Sequence, residues 1–310
     1  MKSYAIIGTG AIGGYCGVRL QQAGFDVHCL LNSDYEFVKQ YGLTLITSQG
    51  KVTLPVNAYN NIQQMPICDV ILIAIKTTAN AILKEILPKI MHPGSVVIIL
   101  QNGIGIEKEI AEFIEATKII GGSCNIKVTK ISPGIIKQDR FDGIELAQYY
   151  PDEQQTGIPP QVEQLAENFK KAGINAVTSP HLPTIRWKKL AANIPPGLSI
   201  ILNDSMQELV LNSASYQLLL AVTREVITTA IQCGANIPND FYQWRIDVLE
   251  SFKEMPIQYS IQEDFNAKRP LEIHAIYENA INIARYHNVP MPLTEMLCQQ
   301  LFYLNAKNIL

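Results

Sequence analysis

The first half of the chain alternates short, wholly apolar runs with amphipathic stretches. Tyr4–Ile7, Val27–Leu31, Val70–Ile75 and Val96–Leu100 read as strands, and Lys118–Ile120 as a shorter one. Between them, Tyr15–Ala23 (stopped by Gly24), Asp34–Tyr41 (followed by Gly42), about Ala79–Ile90 and Ile106–Ile114 carry helical patterning. Continuously apolar strands alternating with helices predict a parallel sheet covered on both faces. The texture changes over Val128–Tyr150, where alternating residues and the Pro133-Gly134 turn predict antiparallel strands that close the sheet. Tyr150 to Pro160 is rich in Pro, Gln, Asp and Gly and reads as a surface loop. Beyond Pro180 the periodicity is helical, over Trp187–Ala192, Ser215–Gly234, Phe241–Phe252 and Glu272–Tyr286. The expected arrangement is an α/β domain over 1–180 and an all-helical domain over 181–310, with the boundary near Pro180–Pro183.

Hydrophobic residues make up 47% of the chain, enough for cores of that size. A net charge of −3 gives no electrostatic case for nucleic acid or an anionic membrane surface. No apolar run reaches the roughly 18–20 residues that span a bilayer. The first residues lack a basic region, a long apolar stretch and a cleavage site, so a secretory signal is not expected and a cytoplasmic location is. The six cysteines form no Cys-x-x-Cys pair and the five histidines show no ligand spacing, so neither a disulfide framework nor a metal site is expected.

Gly8-Thr9-Gly10-Ala11-Ile12-Gly13 is a G-x-G-x-x-G motif. It follows a predicted strand and opens a predicted helix, the context in which the motif binds a dinucleotide. The first glycine permits the tight turn, the second admits a pyrophosphate and the third lets helix and strand pack closely. The first domain is therefore expected to be Rossmann-type. An acid at the tip of the second strand binds the ribose 2′-OH of NAD and repels the 2′-phosphate of NADP. This chain has Asn32-Ser33 there, with Asp34 suited to cap the next helix. Asn32 and Ser33 can donate to either ribose form. No arginine lies between Arg19 and Arg140, so a cation for a 2′-phosphate would have to be a lysine. Lys76, ending the third apolar strand, fits a phosphate contact and equally a solvated strand end.

Reduction of a carbonyl by hydride needs a proton donor, and a lysine with a lowered pKa suits the task. In Arg186-Trp187-Lys188-Lys189-Leu190-Ala191-Ala192-Asn193, Trp187, Leu190 and Ala191 share one helical face while Lys189 and Asn193, at i and i+4, project from another. From spacing alone a solvent-facing pair is the simpler account. Glu272, opening a predicted helix, is suited to the helix dipole. Ser260 is unremarkable by itself.

Together these segments resemble the ketopantoate reductase (2-dehydropantoate 2-reductase) family over nearly the whole chain. The resemblance runs through Ile6–Gly14, Lys76–Asn80, Gln101–Gly105, Trp187–Asn193 and Ser260–Ile273. It implies NADPH as cofactor, with NAD the alternative, and reduction of ketopantoate to pantoate in pantothenate biosynthesis, often by a homodimer. It places Lys189 on the proton donor and Glu272 on the acid that supports binding and the lysine's charge state. Asn193 and Ser260 fall on substrate-binding positions, Asn102 on a residue that positions cofactor and substrate, and Lys76 on a lysine near the cofactor. Two positions depart from the family. Asn32 stands where an arginine is usual, which implies weaker discrimination for NADPH. Gly197 stands where an asparagine touches substrate, after Pro195-Pro196, which should kink or end the catalytic helix. Other small 2-keto acids are the alternative substrates, and a nucleotide-binding sensor with weak catalysis is the alternative function.

Overall fold

The computed structural model describes residues 2–152, 155–255 and 257–309, without the side chain of Asp142. It divides into two compact units, one made of residues up to Gln101 together with Glu107–Leu182, the other of Asn102–Ile106 together with the residues from Pro183 onward.

The first unit is built as β1 (Ser3–Ile7), α1 (Ala11–Gln22), β2 (Asp26–Leu30), α2 (Tyr35–Tyr41), β3 (Leu43–Thr47), β4 (Gly50–Leu54), β5 (Asn57–Tyr59), β6 (Cys68–Ile73), α3 (Leu83–Ile90), β7 (Met91–Ile99), α4 (Ile106–Ile110), β8 (Ile119–Ser132), β9 (Ile135–Gln148), α5 (Pro160–Lys171) and β10 (Asn175–Thr178). Among the described residues the strands form one ten-stranded sheet ordered β4-β3-β9-β8-β7-β6-β1-β2-β5, with β10 against β9. Strands β2, β1, β6, β7 and the start of β8 run parallel. Their apolar residues are wholly buried, as the two-faced patterning requires: Tyr4–Ile7, Val70–Ile73 and Val97–Ile99 expose nothing to solvent. The chain leaves β1 toward β2 on one side and returns to β6 on the other. The carboxyl ends of β1 and β6 thus flank the switch point at which such sheets bind ligands.

The sequence pattern leaves Leu43–Tyr59 unassigned, and the structure makes it three strands. Strands β4 and β5 end the sheet and are largely exposed or half-buried, so they carry no continuous apolar run. Strand β7 begins at Met91, five residues before its apolar run, with a register shift opposite Cys68–Val70. Regular helix in α4 stops at Ile110, and Ala111–Ile114 continue as turns. The Val128–Tyr150 region is the antiparallel β8–β9 hairpin turning at Pro133-Gly134.

The second unit contains α6 (Leu182–Asn193), α7 (Gly197–Ile201), α8 (Met206–Leu211), α9 (Ser213–Gln232), α10 (Phe241–Ser251), α11 (Ser260–Asn266), a one-turn π-helix over His274–Glu278 continuing into α12 (Asn279–Tyr286), and α13 (Pro292–Asn308). Its core gathers Trp187, Leu190, Leu219, Val226, Tyr277, Ala280 and Leu301. Helix α6 ends at Asn193, ahead of the two prolines. Helix α13 starts without a side-chain cap of its own. Glu225 of α9 supplies one, accepting from the amides of Leu293 and Thr294 at 2.9 and 2.8 Å and from Thr294 Oγ1 at 2.7 Å. Replacing Glu225 by Ala strands these donors and is expected to cost about 1–3 kcal/mol. Urea unfolding checks this, and an unchanged midpoint would remove Glu225 from the account of how α13 is held.

Candidate active site

Within the first unit, the turn after β1 is shaped by close backbone approach. Gly8 has φ +96°, and a Cβ added there would lie 2.5 Å from Ile75 N. At Gly13 an added Cβ would lie 2.1 Å from the Gly8 carbonyl oxygen. Gly10 differs: a Cβ there would meet nothing within 4 Å. Packing of the protein therefore explains the glycines at 8 and 13 but not at 10, where open space fits close approach of a pyrophosphate. Thr9 Oγ1 donates to Leu30 O at 3.0 Å, tying the turn to the end of β2. Ala11 and Ile12 begin α1, whose first turn carries no acid to compete for its amides.

Asn32 and Ser33 are exposed just past β2. Asp34 is buried. It occupies the N-cap position of α2, yet its carboxylate makes no cap bond there. It accepts instead from Ser33 Oγ at 3.0 Å, from Gly134 N at 3.1 Å and from Lys130 Nζ at 2.9 Å. Burial pushes its pKa up, but these donors and the lysine charge outweigh that and hold it below the usual carboxylate value. Lys76 is exposed beyond β6 at the head of a 3-10 helix over Thr77–Ile82. Gln101 Nε2 joins the two loops of this edge, donating to Ile75 O at 2.9 Å and Asn80 Oδ1 at 2.7 Å.

Within the second unit, Trp187, Leu190, Ala191 and Ile194 bury one side of α6. Lys189 and Asn193 are half-buried on another side. Asn193 Nδ2 donates to Asn102 Oδ1 at 3.4 Å, across 91 positions of sequence. The segment carrying Asn102 is held by the helix that follows Glu272. Ile104 N donates to Ala275 O at 3.0 Å, and Asn279 Nδ2 returns a bond to Ile104 O at 2.8 Å. Gly103 has φ +108° and lies so close that an added Cβ would sit 2.5 Å from Ala275 O. Glu272 is buried, one residue before the helix begins at Ile273. Ser260 is placed separately, exposed at the start of α11. The turn from α11 to Glu272 is set by Arg269, whose Nε donates to Asp264 Oδ1 at 2.9 Å. Asn279 and Tyr277 are absent from the sequence reading. Asn279 lies seven residues after Glu272, two helical turns on, which is the one signal that could have marked it.

Burial pushes the Cys29 thiol up to about 12 and those of Cys68 and Cys298 up to about 11, so these three stay protonated near neutral pH. Among the described residues no cluster of His, Cys, Asp and Glu could hold a metal ion, and no helix is long and apolar enough to cross a membrane.

A glycine turn at the switch point of a parallel sheet is the arrangement of dinucleotide-dependent enzymes, and this chain is an NAD(P)H-dependent oxidoreductase by the family it matches. The chain matches the family Ketopantoate reductase PanE/ApbA over residues 4–150 and the family's C-terminal domain over 182–303. It is 41% identical, over 99% of its length and 96% of the relative's, to a 2-dehydropantoate 2-reductase of Nostoc sp. (strain PCC 7120 / SAG 25.82 / UTEX 2576). The crystal structure of 2-dehydropantoate 2-reductase from Geobacter metallireducens GS-15 superposes with TM-score 0.91 at 31% identity, covering 97% of this chain and 99% of that one. That from Methylococcus capsulatus gives TM-score 0.87 at 27% identity, over 99% and 97%. The chain belongs to the ketopantoate reductase family, and with it come the α/β dinucleotide-binding and helical C-terminal domains expected from the sequence.

The departure at Gly197 has a steric cause. A Cβ there would lie 2.5 Å from the hydroxyl oxygen of Tyr277 and 3.0 Å from Leu301 Cδ1. Tyr277 is wholly buried and its hydroxyl donates to Ile194 O at 3.0 Å. Burial pushes the phenol well above its usual pKa, so it remains a donor. Gly197→Ala is expected to cost about 1–3 kcal/mol through overpacking. Tyr277→Phe removes the clashing oxygen, so the double variant should recover at least about 0.5 kcal/mol relative to the sum of the singles. Denaturant unfolding of all four proteins measures the coupling, and strict additivity would show that the two residues do not share this space.

Proposed function

We propose that this protein reduces 2-dehydropantoate to pantoate, with NADPH as the preferred cofactor and Lys189 as proton donor. The observation that carries the reading is the Asn193–Asn102 hydrogen bond. It brings two of the family-matched segments together one helical turn from Lys189. Residues Gly8–Gly13, Asn32, Ser33 and Lys76 hold the dinucleotide, supported by the open approach at Gly10. A bound dinucleotide supplies the hydride. As the keto carbon accepts it, negative charge develops on oxygen, and the Lys189 ammonium stabilises that charge and delivers the proton. Asn193, Asn102 and Ser260 orient the substrate, and buried Glu272 supports binding and the lysine's protonation. The reading includes a homodimer and a cytoplasmic setting; sedimentation of the purified protein tests the former.

Lys189→Ala should lower kcat by about 10² or more while nucleotide affinity is kept. Lys188, about 100° around the helix, is the control. NADPH oxidation with 2-dehydropantoate checks both, and equal damage from Lys188→Ala would unseat Lys189. Asn193→Ala should act mainly on KM.

Gly10→Val should fold, since its Cβ enters open space, yet lose nucleotide binding because the side chain stands where the pyrophosphate would lie. Circular dichroism and NADPH fluorescence titration test this together. A folded variant with unchanged affinity would move the cofactor away from this turn.

A further inference from the structure

The tip of β2 lacks the arginine usual in the family, and the β8–β9 hairpin brings a different cation to it. Gly134, at the hairpin turn, packs on α2: a Cβ there would lie 2.9 Å from Phe37 Cδ1 and 3.0 Å from Val38 Cγ2. That docking sets Lys130 beside the segment Asn32-Ser33-Asp34. Lys130 Nζ lies 2.9 Å from both carboxylate oxygens of Asp34, and the lysine side chain keeps 36% of its surface exposed. Asp34 is only 5% exposed and is saturated by Lys130, Ser33 and Gly134, so it has neither an unmet charge to repel a phosphate nor an oxygen turned to a ribose. Around it stand an exposed amide at Asn32, a hydroxyl at Ser33 whose single proton is given to Asp34, and a partly exposed ammonium with a third N–H to give. The acid and the ammonium cancel in net charge. What this edge offers a phosphate is the Asn32 amide and the ammonium's remaining N–H, with no unpaired carboxylate to repel it.

We propose that Lys130 is the cation that recognises the adenosine 2′-phosphate in this chain, with Asn32 as its neutral partner and Asp34 as the residue that positions its side chain. The inference rests on the first unit holding a dinucleotide. It makes the chain selective for NADPH by a residue 98 positions away from the strand tip at Asn32, contrary to the weak discrimination implied by the missing arginine.

The test measures binding, not turnover. Adenosine 2′,5′-bisphosphate and 5′-AMP are titrated calorimetrically into the wild type, Asp34→Asn, Lys130→Met and the double variant. Lys130→Met leaves a buried carboxylate without its partner and can fail to fold, so the decisive comparison is made in the Asp34→Asn background. Asp34→Asn keeps an oxygen that accepts from Lys130 but removes the charge that competes with a phosphate, so it should tighten the bisphosphate severalfold. Adding Lys130→Met should then weaken it by about tenfold or more, the loss of one charge-assisted bond, and change 5′-AMP less than twofold. NADPH and NADH should follow the same split. If the double variant binds the bisphosphate as Asp34→Asn does, or loses both nucleotides equally, Lys130 is only a structural partner of Asp34 and the inference fails. A folded wild type that binds neither nucleotide overturns the dinucleotide reading itself, and the inference with it.

Discussion

Inside a helix a carbonyl is most readily opened to a hydrogen bond from outside where the i→i+4 ladder is interrupted. In this protein the interruption is the π-turn after Glu272. The amide of Asn279 reaches back to His274 O, and Ala275 O receives Ile104 N from a segment 171 residues earlier in the chain. The Asn279 side chain, just past the π-turn, closes the pair on Ile104 O. Gly103 is what lets the two backbones come close enough. The placement of Asn102 depends on these two bonds, and the placement of the Asn193 amide depends in turn on Asn102. In a regular α-helix over 272–286 the carbonyl of Ala275 would be taken up by the helix's own ladder, and the Asn102 segment would lose its best acceptor.

The turn after β1 rests on a different constraint, steric exclusion. Two of its glycines are fixed by the protein's own backbone, because any side chain at 8 or 13 would strike a main-chain atom. The third faces open space. This asymmetry separates folding from binding within one six-residue motif. It also explains why a glycine motif is weak evidence when read as letters: the pattern does not say which of its glycines are spent on packing.

The parts of the fold legible in the sequence are those whose burial is uniform along the element. Strands β1, β6 and the apolar end of β7 read clearly because both their faces are covered. Strands β4 and β5 did not, because the sheet ends there and half of each strand meets water. The prolines after Asn193 correctly announced the end of α6. The π-turn was invisible, since one inserted residue barely disturbs the apolar spacing over Glu272–Tyr286. Candidate site residues could be named from family likeness, but not the bonds between them. Asn193 with Asn102 and Asp34 with Lys130 are 91 and 96 positions apart, and no local spacing carries such a contact.

The two departures from the family become intelligible as sums over neighbours. Helix α6 ends ahead of two prolines that bring no N–H of their own, and the turn after it closes with Gly197 N donating to Ile194 O at 3.1 Å. Tyr277 adds a second bond to Ile194 O, and its hydroxyl and ring then occupy the space a side chain at 197 would need. Glycine at 197 is thus a consequence of how this chain finishes the helix bearing Lys189 and Asn193. The residue at 197 and the buried phenol, 80 positions apart, share one space. The same logic applies at the tip of β2. A neutral residue at 32 cannot be weighed without the charge that the hairpin delivers to Asp34. A site of this kind is set by the volume and charge that all its neighbours contribute, and a single differing letter is a poor guide to what it binds.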